Sequence, residues 1–407
     1  MEMQCKTMEC GSYDVIVAGG GPSGCAAAIA AARSGASVLL VERQNCLGGM
    51  WTSGLVNPLF DAANKGGLMA ELIDDLKHRN QWGGFWHISF HYEYMKALLE
   101  QKCLDAGVDL RYETQCVGAL RDGCRVTGIV TESIDGRCAY RGKVIIDASG
   151  DGALAADAGA AFDIGDADTH RCQAMTLMFL VGNIPDKYCD GLMMQDVLTA
   201  AYAKEGKGRR APFDTPYLIP VPNADFGVVQ LTHMRGYSAL SAADRTRATV
   251  EGRRQMIEIY ELLRDYDPDF RDWQLLQSAP VLGVRESRRF RGEYTLTDDD
   301  VFTGAQFPDG VCTVTFNVDI HDGNASGQTC RAVRPYQIPY RCMIPVGLEG
   351  LLIAGKTISG SRAAMASYRV TGDCCAMGEA AGKAAAYTAL HGGSLRDVPN
   401  ETFGEFQ

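Results

Sequence analysis

Long hydrophobic runs are missing from this chain. No stretch approaches 18 uninterrupted apolar residues, and the amino terminus has no basic segment followed by an apolar core, so neither a transmembrane helix nor a secretory signal is expected. Positive charge is also short. Thirty-nine Lys and Arg stand against 50 Asp and Glu, a formal net charge of −11, which argues against nucleic acid or an anionic membrane as the main partner. Cysteine is plentiful at 15 residues, yet the number is odd and no two have C-x-x-C spacing. Reduced thiols serving as small apolar residues, in a cytoplasmic location, are the expectation. No His, Cys and Asp spacing points to a metal. What remains is ordinary in bulk: 407 residues suffice for two or three domains, and 46% apolar with 22% charged residues fits a globular protein.

The first informative stretch is DVIVAGGGPSGCAAAIAAARSGASVLLVE, Asp14 to Glu42. Val15, Ile16 and Val17 read as a strand buried on both faces of a parallel sheet. Gly19-x-Gly21-x-x-Gly24 follows, then an Ala-rich helix to Arg33, a Gly35 stop, and a second strand over Ser37–Val41. Gly19 allows a tight turn, Gly21 lets backbone approach a pyrophosphate, and Gly24 lets helix and strand pack closely. The helix N-terminus offers unpaired N–H groups to phosphate. Glu42, 18 residues beyond Gly24, is placed to accept from ribose hydroxyls and disfavours a 2′-phosphate. The stretch signals a dinucleotide and leaves NAD and FAD open.

Other segments lie far along the chain. AGVDLRYETQCVGALRDGCRVTGIVTES reads as a strand and a hairpin, after a helix from near His91 to Ala106–Gly107, and KVIIDASG (143–150) as a further strand and turn. Between 345 and 390 come a strand at Leu351–Ala354, a turn at Gly355 and an Ala- and Gly-rich helix from Thr371–Gly372. Residues 1–12 read as an extension before the first strand. Taken in order, DVIVAGGGPSG…VLLVE, LGG at 47–49, VIIDASGDGALAADAGA, LGVRESRRFRGEYTLTDDDV, DIHDG, PYRCMIPVGLEGLLIAGKTIS and SYRVTGDCCAMGEAAG resemble the signature blocks of the FAD-dependent oxidoreductase family. This is the glutathione-reductase-like class that includes fumarate-reductase-type flavoproteins. The blocks span about residues 13–390.

The resemblance implies FAD. Gly19, Gly21, Pro22, Ser23 and Gly24 would cradle the pyrophosphate, with Glu42 and Arg43 at the adenosine ribose. Gly48 and Gly49 would run past the phosphates, with Trp51 and Thr52 continuing toward the flavin. Cys116 would meet adenine through its backbone, Ala148, Ser149 and Gly150 would pass beside the nucleotide, and Gly355 would lie along the phosphate–ribityl stretch. Arg369, Val370 and Gly372 would bring backbone and charge to the pyrimidine edge of the flavin, which gains negative charge on reduction. Two departures matter. Cys46 precedes Gly48–Gly49 and Trp51 stands five residues on, so the C-x4-C of disulfide reductases is not supported. No second GxGxxG occurs between 150 and 345, so a dedicated NAD(P)H domain is not expected.

The implied fold class is α/β. A discontinuous Rossmann-like FAD-binding domain (13–160 and 341–393) would carry an inserted mixed α+β substrate domain (161–340), with a tail at 394–407. In the middle, QAMTLMFLVGNI, GVVQLTHMRG and GVCTVTFNVDIHDG read as strands, and Ser241-x-x-Asp244 resembles a capping box opening a long helix to about Asp265. Arg285, Arg288, Arg289 and Arg291 form either a solvated basic face or a source of one inward arginine for a carboxylate. His321 and Arg288 are the catalytic candidates: His321 as acid or base, Arg288 as anchor for an anionic oxygen. His170–Arg171 in a polar loop and the aromatic NQWGGFWH at 80–87 are weaker candidates for the substrate pocket, and Cys374–Cys375 read as two buried thiols. The expected chemistry is hydride transfer between a small-molecule substrate and flavin N5, with a separate electron acceptor or donor and no oligomeric state specified. Flavin monooxygenation and an RNA-modifying or structural flavoprotein are the alternatives.

Overall fold

The computed structural model describes residues 7–185, 192–321 and 327–404. Strand β1 (Met8–Ala18) runs into helix α1 (Pro22–Arg33), which returns to strand β2 (Val38–Val41). Because β1 begins at Met8, most of the described part of the expected N-terminal extension belongs to the sheet. Val15 through Ala18 are buried on both faces, as the unbroken apolar run requires. Gly35, at φ +91°, ends the helix where the sequence places its stop.

Seven strands form the main sheet. Asp109–Arg111, β2, β1 and the C-terminal half of Gly136–Asp147 are parallel neighbours, and Leu351–Ile353 joins the last of these in parallel. The N-terminal half of Gly136–Asp147 also runs parallel to β1 and on its other edge pairs antiparallel with Arg125–Ser133, which pairs with Gln115–Asp122. One long strand thus connects a parallel sheet to an antiparallel flap. The return of residues 351–353 to the sheet, some 200 residues after strand 136–147, brings the two ends of the chain together.

Helix Thr371–His391 lies directly on α1. A Cβ on Gly378 would stand 2.1 Å from Ser23 O, and one on Gly382 2.2 Å from Ala27 O. The small residues in this helix therefore permit backbone-to-backbone contact that any side chain would prevent.

A second sheet is antiparallel, in the order Leu192–Met193, Tyr217–Pro220, Phe226–Gln230, Phe179–Gly182, Gln274–Ser278. Its strands alternate between two cores. Phe179, Val181 and Val229 join a cluster with Leu198, Ile259, Phe270 and Trp273, while Leu180 and Val228 face the main core. Helices Gln195–Glu205 and Ala242–Tyr266 cover the outer face. Ser241 caps the latter by accepting from Asp244 N at 3.2 Å, but the Asp244 carboxylate turns to Ser238 N at 2.9 Å, so half of the expected capping box is replaced. The run GVCTVTFNVDIH is two strands, Gly310–Val314 and Val318–His321, rather than one. Asp322 and Gly323 of the DIHDG block lie outside the described residues.

Among the described residues cysteine usage departs from expectation at one place: Cys10 and Cys138, on neighbouring strands, are joined as a disulfide. Cys374 and Cys375 are buried free thiols. Residues 394–404 are packed down, with Phe403 against Tyr340 and Tyr340 donating to Leu395 O at 3.1 Å. Among the described residues no helix is long and apolar enough to cross a membrane.

Candidate active site

A cleft with a cavity volume of about 310 Å³ lies where the loops of the main sheet meet the inner face of the second sheet. Its lining gathers Gly19, Gly21, Pro22 and Ser23 with Glu42, Arg43, Gly49, Ala148, Ser149, Gly150, Gly355, Arg369 and Val370, all singled out from sequence. The loop chemistry explains the cradle. Gly19, at φ +103°, passes so close to Ala148 that a Cβ would sit 2.6 Å from its carbonyl oxygen. Gly49 turns the second glycine loop against Gly21. Around Gly21 a Cβ would meet nothing within 4 Å, so this backbone faces open space. The first turn of α1 has no side-chain cap and no acid, leaving its N–H groups to a ligand anion. Glu42 accepts from Gly20 N at 2.6 Å and Gln44 N at 2.8 Å, one bond per oxygen, which keeps lone pairs for ribose hydroxyls. An uncapped helix start, glycine backbone facing a void and a fixed acid together fit the adenosine diphosphate half of FAD.

The other residues expected at the cofactor stand behind this wall. Gly24 packs on β1, where a Cβ would lie 1.8 Å from Gly19 O. Gly48 donates to Gly20 O at 2.8 Å. Trp51 is fully buried edge-on to Phe90, and Thr52 donates to Leu47 O at 2.5 Å. Gly372 abuts the carbonyls of Phe60 and Asp61, and Cys116 sits half-buried in the flap; neither lines the cleft.

The four clustered arginines go to four different environments. Arg285 alone reaches the cleft, half-buried, donating to Ala174 O at 2.9 Å and Thr176 Oγ1 at 2.7 Å. Arg288, the expected anchor, instead donates to Asp151 O at 2.8 Å and lies over the Phe162 ring, because its strand pairs with Phe162–Ile164 away from the opening. Arg289 is buried against Glu286 at 2.6 Å, and Arg291 meets Asp163 on the surface at 3.0 Å. His170 is exposed and outside the cleft; the 80–87 loop, where exposed Trp86 stacks on buried Phe85, does not line it either.

His321 does line the cleft, but both of its ring nitrogens are engaged. Nε2 meets Asp319 Oδ2 at 3.0 Å and Nδ1 meets His233 Nε2 at 3.0 Å. Asp319, two residues earlier on the same strand face, also receives Arg369 at 3.0 Å, while its Oδ1 has no partner. Burial opposes its charge, yet the His321 hydrogen bond and the Arg369, His321 and Arg285 charges hold Asp319 below the usual carboxylate range. Burial and Arg285 press His321 down to about 3, despite Asp319. Arg285 is itself pressed down to about 9 by burial and Arg369, and it makes no ion pair among the described residues. A half-buried cation lining the cleft in that position favours an anionic or strongly polar oxygen.

A second charged group at the cleft was not foreseen. Asp151 binds Lys356 at 3.2 Å and Arg245, tying the loop after strand 136–147 to the loop after strand 351–353 and to helix 242–266. Burial works against the Asp151 carboxylate, but the Lys356 and Arg245 charges outweigh it and hold it low. Asp319 was legible in principle, two residues before His321 in a strand; His233, 88 residues from its partner, gave no local signal.

A model of the family described as FAD dependent oxidoreductase matches residues 14–407. Thiamine thiazole synthase of Aeropyrum pernix is 33% identical over 119 residues, 29% of this chain and 43% of that protein, so the match spans less than half of the curated relative. Among solved structures, a geranylgeranyl bacteriochlorophyll reductase-like protein from Thermoplasma acidophilum aligns with 98% of this chain and 82% of its own, at TM-score 0.51 and 14% identity. A p-nitrophenol 4-monooxygenase from Pseudomonas putida aligns over 98% and 84%, at TM-score 0.53 and 11% identity. At these identities the structural likeness is one of fold.

Proposed function

Since this chain belongs to the FAD-dependent oxidoreductase family, with FAD as its cofactor, we propose that it transfers hydride between a small organic substrate and flavin N5, with Asp319 exchanging the accompanying proton. When bound, FAD supplies the hydride acceptor or donor. The Gly19–Gly24 loop and the start of α1 hold the pyrophosphate, and Glu42 holds the ribose. Arg369 lends positive charge beside Val370 at the start of helix 371–391. Arg285 anchors an anionic or polar oxygen of the substrate from a water-poor wall. The inner face of the second sheet, with Thr176, Met178 and Gln230, closes the pocket over it.

One observation carries this reading: a carboxylate flanked by Arg369, Asp319, lines the same cleft as the dinucleotide loop, with one oxygen unpartnered. His321 acts through Asp319 rather than directly on substrate, because neither ring nitrogen is free. The test is rapid anaerobic mixing of the FAD-loaded protein with a panel of small alcohols, amines and hydroxy acids. Asp319→Asn should retain FAD and reduce it roughly 10²–10⁴-fold more slowly with the active substrate, the range for losing a general acid or base. Parental rates in that variant would remove Asp319 from the chemistry.

A further inference from the structure

One nitrogen of Arg285 holds the side chain in place, and two are left over. Nη1 makes both of its hydrogen bonds, to Ala174 O at 2.9 Å and to Thr176 Oγ1 at 2.7 Å. Nε and Nη2 have no partner among the described residues, yet they are open to the cleft that Arg285 lines. Arg288 and Arg369 differ here, since their unpartnered Nε atoms are sealed in protein. In a guanidinium the Nε–H and one Nη2–H point the same way, and that edge takes both oxygens of a carboxylate at once. Anchoring by Nη1 leaves the edge whole.

The surroundings of that edge are rich in donors and short of charge. Thr176 Oγ1 accepts from Arg285, so its own proton points elsewhere, and it meets no acceptor among the described residues. The Gln230 carboxamide, also on the cleft wall, is likewise unbonded among them. The nearby acids are taken: Asp319 by Arg369 at 3.0 Å, and Asp151 by Lys356 at 3.2 Å and by Arg245. Those three cations are thereby engaged too, and Arg43 stands at the Glu42 end of the cleft. Much of the remaining lining is apolar, including Met50, Val56, Phe60, Met178, Leu282 and Phe316, with the Phe60 and Phe316 rings 5.5 Å apart.

We propose that the substrate is a monocarboxylic acid with an apolar body, its carboxylate taken side-on by Nε and Nη2 of Arg285, and that Thr176 is the positioning residue that turns this edge to the cleft. The proposal rests on the reading of this cleft as the substrate site and names the class of molecule it selects. Arg285 keeps its charge at neutral pH, although burial and Arg369 press it down to about 9. A neutral amide of the same shape sets its N–H₂ against the guanidinium edge, donor against donor. A dicarboxylate carries its second charge onto an apolar wall whose cations are already engaged. Either mismatch costs affinity, so one charged head and one apolar body is the combination that leaves no group unmatched.

The experiment is titration of the FAD-loaded full-length protein with benzoate and 3-methylbutanoate, read as a change in the visible flavin spectrum. Neither acid carries a hydroxyl or amino group, so binding is seen apart from turnover. Both should perturb the flavin saturably. Benzamide, 3-methylbutanamide and succinate should each bind roughly ten- to hundred-fold more weakly, the value of a charge-assisted hydrogen bond. Arg285→Lys keeps the charge but loses the fork, and should weaken benzoate roughly ten-fold or more. Thr176→Val should weaken it too, and Thr176→Ser, which keeps the hydroxyl, should restore parental affinity. Equal affinity for acid and amide overturns the proposal, as does succinate binding more tightly than benzoate, or no spectral change with either acid; none of these outcomes needs a variant to fold. Parental benzoate affinity in a folded, FAD-loaded Arg285→Lys overturns it as well. Acids that bind in the predicted order, with no apolar hydroxy or amino acid bleaching the flavin, would count against hydride transfer and leave the substrate class standing.

Discussion

Gly21 and Gly24 stand three residues apart and face opposite neighbours. Gly21 has extended backbone at φ −72°, which any residue adopts, and open space around its missing Cβ. Gly21→Val should therefore lose FAD and fold with the melting temperature of the FAD-free parent, because the side chain occupies the phosphate space. Gly24→Ala should lower the melting temperature, since its methyl has Gly19 O in its way. Melting of the FAD-free proteins, with flavin retention measured alongside, separates the two effects; FAD loss with melting below the FAD-free parent in both would place Gly21 in the packing. Among the arginines, Arg285→Gln should weaken substrate binding roughly ten- to hundred-fold, the value of a charge-assisted hydrogen bond, while Arg288→Ala leaves it unchanged. Saturation of flavin reduction with substrate concentration reads both; the reverse order would restore Arg288 as the anchor. The placement of Gly19, Gly21, Gly49 and Glu42 around the cleft was legible because it is local, set within a turn or by adjacent backbone. Which of four neighbouring arginines turns inward was not, because the choice is made by what each strand pairs with, and those partners lie more than 100 residues away in sequence.

The decisive element is helix 371–391, whose Gly378 and Gly382 bring it onto α1. Gly378→Val should destabilise by about 1–3 kcal/mol through overpacking. It should also loosen FAD, since the residue pushed away, Ser23, lines the cleft. Denaturant unfolding and the flavin-to-protein ratio check the two parts; parental stability would mean that the helices part without cost. The Ala- and Gly-rich composition announced close packing, and the short loops around β1, α1 and β2 announced their own boundaries. The region from 160 to 340 was less readable. Its strands are short, and the sheet-forming pairs are set by alternation between two cores, a pattern that apolar runs such as MTLMFLVG conceal.

At the scale of the whole molecule, segments distant in sequence meet around Lys65. Its ammonium lies 3.2 Å from Asp61 and 2.9 Å from Asp373, all three side chains nearly fully buried, and donates to Thr313 O. Lys65→Met leaves two buried carboxylates unpaired and should cost about 3–5 kcal/mol, read as a lower denaturation midpoint. A midpoint within error of the parent would show the carboxylates to be protonated or hydrated. The same convergence of segments builds the cleft, where the dinucleotide loop near the amino terminus meets Arg285 and Asp319 from the last third of the chain. Direct hydride exchange between a bound organic substrate and the flavin is what that cleft is read as performing. Anaerobic mixing of the FAD-loaded protein with each candidate substrate, in the absence of reduced nicotinamide, tests it most directly. Saturable bleaching of the flavin by one substrate alone is the predicted result. A flavin that no substrate bleaches, but that NADH reduces rapidly and O₂ then reoxidises with oxygenation of a substrate, would contradict it.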